Sequence, residues 1–91
     1  MHGEYKVPGG KLVVADVAIG HGLLTEVRIS GDFFLEPPEA LACINRALTG
    51  LPADADEAQL AQAVRQALPA DAELFGFSPE AVAVVVRRAL A

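Results

Sequence analysis

Ninety-one residues that are 53% apolar and carry a net charge of −5 suit one folded domain, residues 1–91, and exclude wholesale disorder. The acid excess lies after residue 30 and the basic residues are dispersed, which excludes the electrostatic footprint of a nucleic-acid or anionic-membrane binder. A single cysteine, Cys43, with two scattered histidines excludes an internal disulfide or metal cage. With no signal-peptide pattern and no apolar run long enough to span a bilayer, the chain reads as cytoplasmic and soluble.

Taken in chain order, residues 4–7 form a candidate short edge strand. Pro8-Gly9-Gly10 is a turn signal, because Pro presets φ and Gly supplies positive φ. Residues 11–19 then alternate, with Val13, Ala15, Val17 and Ile19 on one face. Gly20-His21-Gly22 punctuates the run. Residues 23–30 follow, with Leu23, Val27 and Ile29 on one face and Glu26, Arg28 and Ser30 on the other. Two alternating runs joined by a short glycine-rich turn predict a β-hairpin. Residues 31–35 continue or leave the second strand, and Pro37-Pro38 closes it.

The period then changes. Leu41, Ile44, Ala47 and Leu48 recur at helical spacing, and Gly50 and Pro52 stop that helix. Asp56 with Gln59 makes a capping box for a second helix, whose inner stripe is Leu60, Val64, Ala67 and Leu68, ending at Pro69. Ser78-Pro79-Glu80 opens a third helix. Its inward residues are Val82, Val85, Val86, Ala89 and Leu90, and Arg87 and Arg88 suit the negative end of its dipole. Phe75 and Phe77 read as core anchors leading into this helix, and Cys43 as a small buried side chain. The expected architecture is α+β and two-layered: a small antiparallel sheet, made of the hairpin plus a short edge strand, covered by about three helices.

Three local sequences have chemical content. In Lys6-Val7-Pro8-Gly9-Gly10-Lys11, two lysines flank a tight turn, so amides and ammonium groups can converge on an anion such as an acyl-adenylate phosphate. The same sequence also makes a plain turn with two solvated lysines. It is not a Walker loop, since the spacing differs and no Ser or Thr follows Lys11. In Phe33-Phe34, neighbouring rings of an extended chain point to opposite faces, one for the core and one for an interface or ligand, or both are buried. Asp32 can orient a lysine or a ribose hydroxyl, or cap a turn. Glu36 and Glu39 read as acids at a helix start. No nucleophile, base and oxyanion site assemble, so no catalytic residue is assigned.

KVPGGKL (residues 6–12), then VRISGDFF (27–34), GLPAD (50–54) and GFSPEAV (76–82) are together similar to the C-terminal accessory domain of lipoate–protein ligases, including the form encoded as a separate small subunit. The resemblance covers nearly the whole chain. It implies a docking partner, the catalytic ligase subunit, which binds lipoate and ATP with Mg2+ and carries the catalytic lysine. The small domain supports formation of lipoyl-adenylate before transfer to a lysine of a lipoyl-acceptor protein. It implies no cofactor held by this chain alone. Lys6 to Lys11, Asp32, Phe33 and Phe34 become ligand- or interface-contact candidates. The start at Met1 fits a separate subunit, with a domain of a longer ligase as the alternative.

The family's fold is also similar to iron–sulfur scaffold and sulfur-acceptor proteins, whose chemistry uses cysteines. A noncatalytic sulfur-trafficking or scaffold-like interaction module is therefore the alternative function. It requires a reactive, exposed Cys43.

Overall fold

The alternating run that follows Pro8-Gly9-Gly10 is the middle of the sheet. The computed structural model describes residues Met1–Ala91 in the order β1 (His2–Lys6), β2 (Leu12–Gly20), β3 (Leu23–Gly31), β4 (Phe34–Glu36), α1 (Ala40–Leu48), α2 (Glu57–Ala67), β5 (Glu73–Phe75) and α3 (Pro79–Leu90). The fold is α+β. An antiparallel sheet runs β1-β2-β3, and β4 pairs with β5 in a separate two-stranded ribbon. The edge strand begins at His2, earlier than the sequence indicated.

Period-two alternation puts Val13, Ala15 and Val17 of β2 in the core and leaves Asp16 in water. The hairpin turns on His21 and Gly22, both at positive φ, which matches the right-handed twist of the strands. One expected face is wrong at its end. Ala18 pairs with Glu26 but Ile19 pairs with Leu24, so Thr25 is an extra residue on β3. This bulge reverses the alternation along β3, so Leu24 is fully buried and Leu23 is exposed; Ile19, next to last in β2, is exposed at the strand's end.

Helices cover one face. α3 lies along β1 and β2, α1 packs on β3, and α2 packs on the other two helices rather than on the sheet. β1 approaches α3 closely because residue 3 lacks a side chain; a Cβ there would stand 2.5 Å from the Ala89 nitrogen. The buried stripes are Ala40, Ile44 and Leu48 on α1, and Leu60, Ala61 and Val64 on α2. Leu41, Ala47, Ala67, Leu68 and Leu90 are half-buried. On α3, six residues including Val82, Val85 and Val86 are buried. That burial holds a β-branched run helical against its weak propensity.

Caps follow the sequence. Asp56 accepts from the Gln59 amide while the Gln59 side chain accepts from the Asp56 amide, and Ser78 accepts from the Ala81 amide. The arginines of α3 do more than offset its dipole. Arg87 donates to the carbonyls of Ala53 at 2.8 Å and Ala55 at 3.3 Å. Arg88 lies 4.7 Å from the Tyr5 ring centroid and donates to the Glu4 carbonyl at 3.1 Å. On the opposite edge strand, the Ile29 amide donates to the Asn45 side chain at 3.0 Å. Each edge thus has a side chain occupying part of its free backbone.

Candidate functional site

The sequence-marked segments meet at the end of the sheet where β1 passes into β2. The turn closes on itself: the Val7 amide donates to the Lys11 carbonyl at 3.1 Å, and the Gly10 amide to the Val7 carbonyl at 2.8 Å. Pro8 has no amide to give. The Lys6 ammonium folds over the turn and donates to the carbonyls of Gly10 and Val7. The Lys11 amide donates to the Gly76 carbonyl at 2.8 Å. Gly76 sits at φ +87°, and a Cβ there would meet the Lys11 side chain.

Three of the turn's four amides and the Lys6 ammonium are therefore engaged inside the chain. The Lys11 side chain is exposed and is the turn's remaining cation. Lys6 is a brace for the turn. Gly9 forms its open tip, with φ +71° and nothing near a would-be Cβ.

SGDFF is tied to the same place. Gly31 pairs with Val13, and the Asp32 amide donates to the Leu12 carbonyl at 3.0 Å. Asp32 is exposed and joins the structure through its backbone. Phe33 turns inward and stacks on Phe77, with centroids 4.0 Å apart, an arrangement worth about 0.5–1.5 kcal/mol beyond its area. Phe34 turns outward and is 73% exposed. It lies directly across from Phe75 in the β4–β5 ribbon, and Phe75 is 48% exposed. The expectation of Phe75 as a core anchor is thus corrected; Phe77 is one, at 7% exposure. A three-residue strand is too short to show a period, so the pairing that turns Phe75 outward had no signature in the sequence. The usable hint was Gly76, a lone glycine between two aromatic rings.

GLPAD serves the far end of the hairpin. The Ala53 amide donates to the Gly22 carbonyl at 2.8 Å, and Leu24 and the Gly50–Leu51 backbone exchange bonds of 2.7 and 2.9 Å.

No three His, Cys, Asp or Glu side chains cluster so as to hold an ion. Two open surface depressions exist, one beside His2, Asp16 and Arg28 and one between α2 and α3. The second is crossed by an Arg65–Glu80 ion pair. Neither is lined by any residue of the turn or of SGDFF. In the first, His2 is held between Glu4, 2.8 Å from Nε2, and Asp16, 2.7 Å from Nδ1. Those two carboxylates, Glu4 foremost, raise its pKa above the ordinary 6.5. Cys43 is half-buried rather than buried and has no second sulfur for exchange or ligation. No helix is long and apolar enough to cross a membrane.

The fold recurs in a known lipoylation system. A chain from the structure of a bi-partite lipoate protein ligase and its E2 lipoyl domain from Thermoplasma acidophilum superposes with a TM-score of 0.68 at 20% sequence identity. The match covers 96% of this chain and 98% of that one. The two chains share a fold. No protein-family model matches the sequence, and no curated protein does.

Proposed function

We propose that this chain is the accessory component of a lipoate–protein ligase, docking on a separate catalytic subunit to support activation of lipoate. The observation that carries this reading is the fold likeness, which runs nearly end to end over both chains. The motifs support it independently: KVPGGKL, SGDFF and GFSPEAV, dispersed in sequence, are bonded to one another at a single end of the molecule. That knot presents a cation, Lys11, and two outward aromatic rings without any catalytic group.

Activation joins a carboxylate oxygen of lipoate to the α-phosphorus of ATP as the α–β anhydride bond breaks and pyrophosphate leaves. Negative charge gathers around that phosphorus, and fixed cations and amides stabilise it best where water is excluded. ATP, Mg2+ and lipoate belong to the catalytic partner. This chain supplies a rigid wall that shapes or closes that site, with Lys11 braced by Gly76 as its nearest positive group. The acceptor lysine then attacks the acyl carbonyl and AMP departs, a step that needs this chain less.

The test is lipoate-dependent ATP–pyrophosphate exchange by the same organism's catalytic subunit, with and without this chain. Exchange that needs both components is the expected result. Full exchange by the catalytic subunit alone, with no binding between the two, would overturn the reading.

A further inference from the structure

The β4–β5 ribbon has an outer face with a composition that is costly to leave in water. Phe34 and Phe75 are directly opposite each other, and so are Glu36 and Glu73. Alternation along each short strand puts all four on one side, while Leu35 and Leu74 turn the other way and are half-buried. Two exposed rings therefore stand beside two exposed carboxylates. Like charges directly across a strand pair repel, and nothing basic from this chain neutralises them.

We infer that this face is the surface on which the catalytic partner docks, and that the partner meets it with an apolar socket bordered by Arg or Lys side chains. The inference rests on the function proposed above and identifies where and by what chemistry the two chains join. Desolvated aromatic rings supply most of the affinity at such surfaces, and adjacent charge pairs set orientation and partner choice. A second copy of this chain does not fit. Two-fold pairing through this face would put four uncompensated carboxylates into one interface, between chains that already carry −5 each. The closeness of Lys11 to Gly76 places the motif turn at the rim of the same face, so docking here carries the turn to the partner's site.

The experiment is titration calorimetry of the full chain against the catalytic subunit. Phe34→Ser and Phe75→Ser are compared with Ile19→Ser, an exposed apolar position at the end of β2 away from the Lys11 turn. The ring variants are expected to weaken binding by about tenfold or more, and Ile19→Ser to leave it unchanged. Glu36→Gln with Glu73→Gln gives a second readout independent of ring packing. Removing the repulsion should raise the melting temperature of the free chain, while binding weakens and loses its salt dependence. Equal binding by wild type and ring variants overturns the surface and leaves the proposed function standing. No binding by wild type removes both. Self-association abolished by Phe34→Ser would name a second copy as the occupant and overturn the inference.

Discussion

Lys11 and Gly76 are joined through their backbones: the lysine amide donates to the glycine carbonyl at 2.8 Å, and the lysine side chain fills the space a Cβ on residue 76 would take. This contact fastens the β1–β2 turn to the segment between β5 and α3. Gly76→Ala meets two obstacles, a φ of +87° and the occupied space. The side chain of Lys11 can move aside, but the backbone conformation cannot change without breaking the bond. A loss of about 1–3 kcal/mol is expected in urea unfolding. A loss below about 0.5 kcal/mol would mean the turn is not fastened here.

Gly3 presents the stricter case. A Cβ at this position would lie 2.5 Å from the Ala89 nitrogen, 2.8 Å from the Val85 carbonyl oxygen and 2.9 Å from the Ala89 Cα. All three are backbone atoms of α3, so no rotamer change relieves the overlap. Gly3→Ala is expected to cost about 2–3 kcal/mol, the upper part of the overpacking range. Ala89→Gly should not rescue it, because the clashing atoms remain. Rescue in a double-mutant thermal melt would show that β1 and α3 are less closely seated.

The elements that could be read from sequence are those long enough to show a period or bounded by caps. Val13, Ala15 and Val17, the Asp56–Gln59 box and the Ser78-Pro79 start all lie where local chemistry places them. Leu23 faces the opposite side from the expected one because a single extra residue, Thr25, changes parity along β3, and nothing local announces it. The candidate site was half legible. Alternation separates Phe33 from Phe34, but Phe75 reaches the same face through a pairing 41 positions away in sequence (75 − 34). The lysine-flanked turn was visible as a motif, while the use of its amides depends on Gly76, which only the tertiary fold brings near.

His2 gives a pH dependence with a defined sign. Its folded pKa lies above the ordinary 6.5, first through Glu4 and then through Asp16. A group whose pKa rises on folding binds its proton more tightly in the native state. Its contribution is fully present below 6.5 and is lost as pH rises through the raised value. Because the imidazole is exposed, the effect is small and screened by salt. The stability difference between wild type and His2→Gln should shrink as pH rises from below the ordinary 6.5 through the raised value, and more steeply at low ionic strength. NMR titration of the imidazole checks the cause directly. A pKa at or below 6.5, or a difference that grows with pH, would contradict the geometry.

The two lysines of the turn should separate in their effects. Lys6 spends its ammonium on the Gly10 and Val7 carbonyls, so Lys6→Met loosens the turn while keeping the aliphatic stem. The expected stability loss is small, within about 1 kcal/mol, and lipoate-dependent pyrophosphate exchange should fall modestly and recover as temperature is lowered. Lys11 has its backbone fixed by Gly76 and its ammonium directed outward, so Lys11→Met should leave the melting temperature nearly unchanged. If that ammonium reaches the activation site, exchange falls by about tenfold to a hundredfold, and Lys11→Arg restores part of it by keeping the charge. Equal exchange by Lys11→Met and wild type would restrict the turn to a mechanical part in docking. A larger defect in Lys6→Met than in Lys11→Met, at equal stability, would reverse the two assignments.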